Sequence, residues 1–516
     1  MPEIYNATTT LVDRHVAEGR GERIAFVDDS GAYTYAELQR RVDAAGHTLL
    51  ALGVQPEQRV VLMLLDTIDF PALFLGAMKI GAVPVPVNTM LKGADYAFVL
   101  RDSRARVVCV SDALRATLDE AITPPVPHLE HILFVPSPLG GKKRAGDVTL
   151  RDMSRHLPPT LTAAETSADD VAFWLYSSGS TGAPKGAVHL HSHLMRTAEL
   201  YAQGVLGIRE SDIVYSAAKL FFAYGLGNAL TFPLAVGACG VLTAHRPTPA
   251  VVARVMREAK PTIFGGVPTL FASLLADADV QAHGLSPALR VSISAGEGLP
   301  KHIGEAWYAR FGSDILDGIG STELLHIFLS NRPGDVRYGT TGRAVPGYTL
   351  ALRGDDGEPV PDGQEGSLWV SGRTACVGYW NQRERSLATF HGEWTRTGDR
   401  YVRDSEGYYT FCGRADDMLK VGGIWVAPFE VESALSAHAS VLEAAVVGTP
   451  DGEGLIKPKA FVVLGAGEVE RPGLAEELRA FVKARLAPYK SPRWIEIVSA
   501  LPKTATGKIQ RFKLRD

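Results

Sequence analysis

Val171-Ala172-Phe173-Trp174-Leu175-Tyr176 runs straight into Ser177-Ser178-Gly179-Ser180-Thr181-Gly182-Ala183-Pro184-Lys185-Gly186. The apolar run predicts a strand, and the glycines and hydroxyls behind it predict a flexible loop at the strand's end. Glycines let backbone N–H groups turn toward one point, hydroxyls add donors and Lys185 adds a charge, a combination suited to a triphosphate. The spacing is not that of the usual P-loop, because Gly186 rather than Ser or Thr follows Lys185. A solvent-exposed loop without a ligand is the alternative this segment leaves open on its own.

Around this stretch, short β-branched runs at Val60 to Leu65, Val107 to Val110 and Ile132 to Val135 alternate with helical stretches such as Tyr35 to Leu52. That alternation predicts an α/β fold with largely parallel, buried strands. The apolar stretch Phe70 to Val87 is long enough to suggest a membrane span, but Lys79 and three prolines interrupt it, so a core helix followed by a buried strand is expected. Beyond Asp399 the units shorten, with strands near Tyr408 to Phe411 and Ala444 to Val447 and helices at Pro428 to Ser436 and Gly473 to Leu486. A small α+β domain is expected there, joined through the polar turn Gly413-Arg414-Ala415-Asp416-Asp417. The expected division is 1–413, 414–417 and 418–516.

At 516 residues the chain is too long for a single core. Its 53 basic and 57 acidic residues give a formal charge of −4 with no long run of one sign, which argues against a nucleic-acid partner. Cys109, Cys239, Cys376 and Cys412 lie far apart with no metal-ligand spacing, as expected of reduced thiols in the cytoplasm. Met1 to Leu11 lacks the basic patch and apolar run of a secretory signal, so export is not expected.

Four more segments follow in order: Gly320-Ser321-Thr322-Glu323, Trp394-Thr395-Arg396-Thr397-Gly398-Asp399, Gly413-Arg414-Ala415-Asp416-Asp417 and Pro502-Lys503-Thr504-Ala505-Thr506-Gly507-Lys508. With the Ser177–Gly186 segment they resemble the signatures of the adenylate-forming superfamily of acyl-CoA synthetases, adenylation domains and luciferases. The resemblance implies a large N-terminal domain of mixed, largely parallel sheets and a small mobile C-terminal domain. It also implies a reaction in which a carboxylate attacks the α-phosphorus of ATP. Both reactants are anions, and one unlike charge at about 4 Å and an effective dielectric near 20 contributes on the order of 4 kcal/mol, or about three decades of rate.

By the same resemblance Lys508 is the catalytic lysine and Glu323 the ligand of Mg²⁺, with Thr181 in the catalytic set. Ser177, Ser178, Gly179, Ser180, Thr181, Gly182 and Lys185 would hold the phosphates. Gly296, Glu297, Gly298, Asp317, Gly318, Ile319 and Thr322 would lie on the adenine side, and Asp399 and Arg414 would meet the ribose. Ile319 departs from the family, which usually has an aromatic residue there to stack on the base.

Leu220-Phe221-Phe222-Ala223-Tyr224-Gly225-Leu226-Gly227, with Leu324-Leu325-His326-Ile327, resembles the benzoate–CoA ligase branch. That likeness implies an aryl pocket of Ala223, Tyr224, Gly225, His326 and Ile327, and an aromatic carboxylic acid as substrate. Without it the same aromatics would read as ordinary core. The chain ends eight residues after Lys508 with no carrier-domain sequence, so coenzyme A is the expected acceptor. By resemblance Lys420, Gly422 and Gly423 face it, and Asp416 is the hinge about which the small domain swings. A carrier-loading adenylating enzyme, an inactive nucleotide-binding regulator and a luciferase-like oxygenase remain as alternatives. A monomer or homodimer without a membrane partner is expected. Lys508 could also be a target of a lysine acetyltransferase and deacetylase, since acetylation would remove its charge.

Overall fold

The computed structural model describes residues 3–515 except 142–143, 155–156, 180–181, 416, 422–423, 453–454 and 504–508, and at 178–179, 182–183, 420 and 424–425 it describes the backbone alone. Val83–Pro86, Arg59–Met63, Val107–Ser111 and His131–Val135 lie side by side, in that order, as a parallel four-stranded sheet. A nine-stranded sheet has a parallel middle, from Ile24–Asp28 through Cys239–Val241, Ile213–Ser216, Ile263–Gly266 and Val291–Ser294 to Asp314–Gly320. These parallel strands read as near-continuous apolar runs because helices cover both faces. Tyr35–Ala51 is one such helix, started by a reciprocal cap in which Thr34 accepts from the Glu37 N–H and Glu37 accepts from the Thr34 N–H.

The membrane-like stretch folds as the core helix Asp69–Lys79 and the buried strand Val83–Pro86. Lys79 explains how a charge sits in it: only 2% exposed, its ammonium contacts Asp43 at 2.5 Å and Asp13 at 2.9 Å. Among the described residues no helix is long and apolar enough to cross a membrane.

Two departures from the expected layout bear on the site. Thr349–Arg353, Glu365–Ser371, Phe390–His391, Trp394–Arg403 and Tyr409–Arg414 form an antiparallel sheet that the alternation did not announce. The glycine- and serine-rich segment is mostly strand: Val171–Gly179 and Gly182–Leu190 pair as an antiparallel hairpin from Val171 opposite Leu190 to Gly179 opposite Gly182. Poor strand propensity is overridden there by the ladder itself and by packing of Trp174 and Tyr176 into a neighbouring core.

The last hundred residues have a core of their own, in which Val431, Leu435, Val446, Val462, Leu478 and Val482 are fully buried. It is built on the three strands Val441–Pro450, Ile456–Leu464 and Trp494–Ile497 and the helices Pro428–Ser436 and Leu474–Lys483.

Candidate active site

The strand Asp314–Gly320 ends where the strand Ile327–Ser330 begins, and the turn between them carries Ser321, Thr322 and Glu323. Leu325 sits in the left-handed region, at φ 67°, which lets the turn reverse tightly. Gly320, Ser321, Thr322, Leu325, His326 and Ile327 form one wall of a cleft that is partly open to solvent. Ala218, Phe222, Ala223, Tyr224 and Val267 form the opposing apolar side, and Ala295, Gly296 and Glu297 close a third. An apolar end and a polar, hydroxyl-bearing end therefore share one cavity.

At the apolar end, Tyr224 donates its hydroxyl to the carbonyls of Ile293 (2.9 Å) and Gly266 (3.1 Å), which locks its ring against the sheet. His326 is 3% exposed and packs edge-on to Phe232, with ring centres 4.4 Å apart. Burial pushes its imidazole down to about 3, so it is a neutral ring at physiological pH. Gly227 makes room for it: a Cβ there would come within 2.3 Å of His326 Cδ2. Gly225, expected in the pocket, packs instead on the carbonyls of Ala218 and Lys219, where a Cβ would come within 2.5 Å of both.

At the polar end, Lys185 of the hairpin reaches Glu323 Oε1 at 2.9 Å and the hydroxyl of Tyr379 at 2.7 Å. Tyr379 in turn donates to the same Glu323 oxygen at 2.6 Å. Burial pushes the Glu323 carboxyl up, but Lys185 and Tyr379 outweigh it and hold the group below the usual range. The neighbouring backbone is clasped as well: His189 Nε2 lies 2.8 Å from the Thr322 carbonyl, and the Cys376 N–H donates to the Glu323 carbonyl at 2.7 Å. The Ser177 hydroxyl is buried with no partner among the described residues, on the hairpin Val171–Leu190.

The expected adenine-side residues separate. Glu297 and Gly296 line the cleft, whereas Gly298 faces the Phe429 ring across the contact between the two parts of the chain. Glu297 Oε1 also accepts the Ile509 N–H at 2.9 Å, which holds the segment after Lys508 to this edge of the cleft. Asp317, Gly318 and Ile319 lie along the strand rather than at the cleft wall; Asp317 is buried, and its carboxyl is pushed well above the usual range. Asp399 and Arg414 stand opposite each other at the end of their sheet, joined at 3.2 Å. Ser180, Thr181, Asp416, Gly422, Gly423 and Lys508 lie outside the described residues, as do the side chains of Ser178 and Lys420.

Two contributors carry no signal in the sequence reading: Tyr379 and His189. Tyr379 reaches Lys185 across 194 residues and His189 reaches Thr322 across 133, separations at which local patterns say nothing.

No group of three or more His, Cys, Asp or Glu among the described residues could cage a metal. Glu323 nevertheless fits Mg²⁺, which takes one or two protein carboxylates and draws its other ligands from phosphates and water; its carboxylate here already holds a cation, the ammonium of Lys185.

This geometry belongs to enzymes that adenylate carboxylic acids, and sequence comparison agrees. Residues 13–380 match the AMP-binding enzyme family and residues 430–508 the AMP-binding enzyme C-terminal domain. The chain belongs to the AMP-binding enzyme family. A benzoate–CoA ligase of Thauera aromatica is 56% identical over 517 residues, covering 100% of this chain and 96% of the relative. Among solved structures, a benzoate CoA ligase from Burkholderia xenovorans LB400 superposes with a TM-score of 0.92 at 49% identity, covering 99% of this chain and 100% of that one. The anthranilate CoA ligase AuaEII in complex with anthranoyl-AMP gives 0.95 at 43% identity, covering 100% and 97%.

Proposed function

We propose that the chain is an AMP-forming acid–thiol ligase that activates benzoate or a close aromatic acid with Mg-ATP and passes the aroyl group to coenzyme A. The observation that carries this is the shared wall from Gly320 to Ile327, which presents an uncharged aromatic ring at one end and the Thr322–Glu323 turn at the other. A flat, apolar acid seated between Tyr224, Ile327 and His326 brings its carboxylate toward the turn and the phosphate hairpin.

In the first half-reaction the acid's carboxylate oxygen attacks the α-phosphorus and pyrophosphate leaves. Lys185 and the hydroxyls and backbone of the Ser177–Gly182 segment, Thr181 among them, bind the phosphates; Asp399 and Arg414 hold the ribose; Gly296, Glu297 and Thr322 form the adenine side. Glu323 would hold Mg²⁺, which would supply neutralising charge for the phosphates. Lys508 brings its ammonium to the carboxylate and the ribose and phosphate oxygens. In the second half-reaction the small domain, 418–516, turns about Asp416 and presents Lys420, Gly422 and Gly423 to the incoming thiol, which displaces AMP. Neutral His326 accommodates an uncharged ring and limits what the ring can carry; a methylene's worth of space changes discrimination by only about 10 to 200-fold, so the neighbouring acids differ in degree. Four cysteines without a disulfide support a reducing compartment, the cytoplasm.

The test is pyrophosphate and AMP release from Mg-ATP with benzoate, hydroxybenzoates, aminobenzoates, cinnamate, cyclohexanecarboxylate and acetate, each with and without coenzyme A. CoA-dependent AMP release with benzoate-type acids is expected. Pyrophosphate release that CoA never accelerates would move the acceptor to a separate carrier protein.

A further inference from the structure

Tyr379 lies outside every motif described above, yet together with Lys185 it ties the hairpin Val171–Leu190 to the carboxylate of Glu323. Its hydroxyl donates to Glu323 Oε1 at 2.6 Å and accepts from Lys185 Nζ at 2.7 Å. Lys185 lies 4.3 Å from its ring centre, so the ammonium touches both the edge and the face of one side chain. The residue is 6% exposed and held from several directions. Its N–H donates to Ser386 Oγ at 2.9 Å, its backbone bridges Ala187 of the hairpin, and the next N–H, of Trp380, donates to the Gly186 carbonyl at 2.9 Å.

This arrangement has a consequence for loading. Lys185 Nζ and a divalent cation are both positive, so with a cation held at Glu323 the Lys185 ammonium would be repelled from the carboxylate and free to meet phosphates bound at its own hairpin. Tyr379 carries no charge for a cation to repel and is held in place through its backbone by Ser386 and the hairpin. We propose that Tyr379 is a positioning residue that keeps the Glu323 carboxylate turned toward the hairpin Val171–Leu190 while Lys185 exchanges from the carboxylate to the phosphates. The proposal rests on Glu323 being the carboxylate that meets the metal.

The test compares Tyr379→Phe and Glu323→Gln with the parent enzyme, using Mn²⁺ as the metal, an α,β-methylene ATP analogue that cannot donate its adenylyl group, and electron paramagnetic resonance to count free Mn²⁺. Phe keeps the ring beneath Lys185 and removes only the hydroxyl. Tyr379→Phe is expected to weaken Mn²⁺ binding in the ternary complex about tenfold, the scale of losing a hydrogen bond to a charged group, and to raise the Mg²⁺ half-saturation of pyrophosphate release by a similar factor. The KM for benzoate and the rate of thioester formation from supplied benzoyl-AMP are expected to stay within twofold, which a general loss of packing would not allow. If Glu323→Gln weakens Mn²⁺ binding and Tyr379→Phe does not, the positioning role is overturned and the metal assignment stands. If Glu323→Gln leaves Mn²⁺ binding unchanged, the metal assignment fails and this inference fails with it.

Discussion

At the scale of single residues, the site depends on charge at one end and on exclusion at the other. Lys508→Ala is expected to slow adenylation by about two to three decades, the order of one unlike charge near 4 Å at an effective dielectric near 20. Thioester formation from supplied acyl-AMP should survive; equal loss in single-turnover measurements of both half-reactions would end the division of labour proposed for this lysine. Acetylation of Lys508 would remove the same charge, and protein shown by mass to be acetylated there should lose adenylation. At the aryl end the decisive atom is an absent one. A Cβ on Gly227 would stand 2.3 Å from His326 Cδ2 and 3.1 Å from Phe232 Cζ, so the imidazole must shift and the cleft it lines changes shape. Overpacking of this kind costs roughly 1–3 kcal/mol. Gly227→Ala is expected to raise the KM for benzoate at least about tenfold by the upper part of that range, with the KM for ATP within twofold, in steady-state pyrophosphate release.

At the scale of elements, the hairpin Val171–Leu190 is held to the Thr322–Glu323 turn by three side chains and a short intervening segment. Lys185 and Tyr379 grip the carboxylate, His189 meets the Thr322 carbonyl, and Thr374 Oγ1 donates to the Leu324 carbonyl at 2.9 Å. His189 is fully buried, stacked on Phe173 with ring centres 5.1 Å apart, and its Nδ1 lies 3.1 Å from His193 Nδ1. Both rings are neutral, and the carbonyl of Thr322 facing His189 Nε2 calls for the proton on that nitrogen. His189→Leu keeps the volume but leaves the Thr322 carbonyl unpaired, at a cost of about 1–3 kcal/mol. A matching loss in denaturant unfolding is expected, with adenylation slowed more than thioester formation; His189→Gln, which retains a donor, should recover part of both. This clasp was not legible beforehand. Glycine and serine in the phosphate segment read as a loop because propensity is a local quantity, whereas the pairing that makes them strand comes from the partner strand and from the core beneath it.

At the scale of the whole molecule, four buried histidines set the acid response. Burial pushes His189 and His191 down to about 4 and His193 and His326 down to about 3. An unfolded chain takes up protons on these rings near pH 6.5 that the folded chain refuses, so their contribution is present above that pH and is lost as pH falls toward 4. Asp66, pushed up to about 6 by burial, and Asp317, raised further, run the other way, because the folded state binds their protons more readily. His15 and His302 are also lowered and Asp43, Asp69 and Asp112 also raised, but the four large histidine shifts dominate this range, and the melting temperature followed by circular dichroism is expected to fall between pH 7 and pH 5. Asp66→Asn, which removes one opposing group, should steepen that fall.

The five ordered segments from Ser177 to Lys508, the aromatic run at Leu220 to Gly227 and the residues after Glu323 were enough by themselves to point to an adenylate-forming family and to its aryl-acid branch. Such segments are legible because each is a short stretch whose spacing reflects one local job. The interrupted apolar stretch at Phe70 to Val87 was legible for a similar reason, since one lysine and three prolines argue against a membrane span wherever the chain runs. What only the tertiary structure decided is which distant groups meet. Tyr379 meets Glu323 across 56 residues and Lys185 across 194, Ile509 reaches Glu297 across 212, and Gly225 turns away from the pocket its neighbours line. Strand order and helix packing bring those contacts together, and neither is written in the spacing of any one segment.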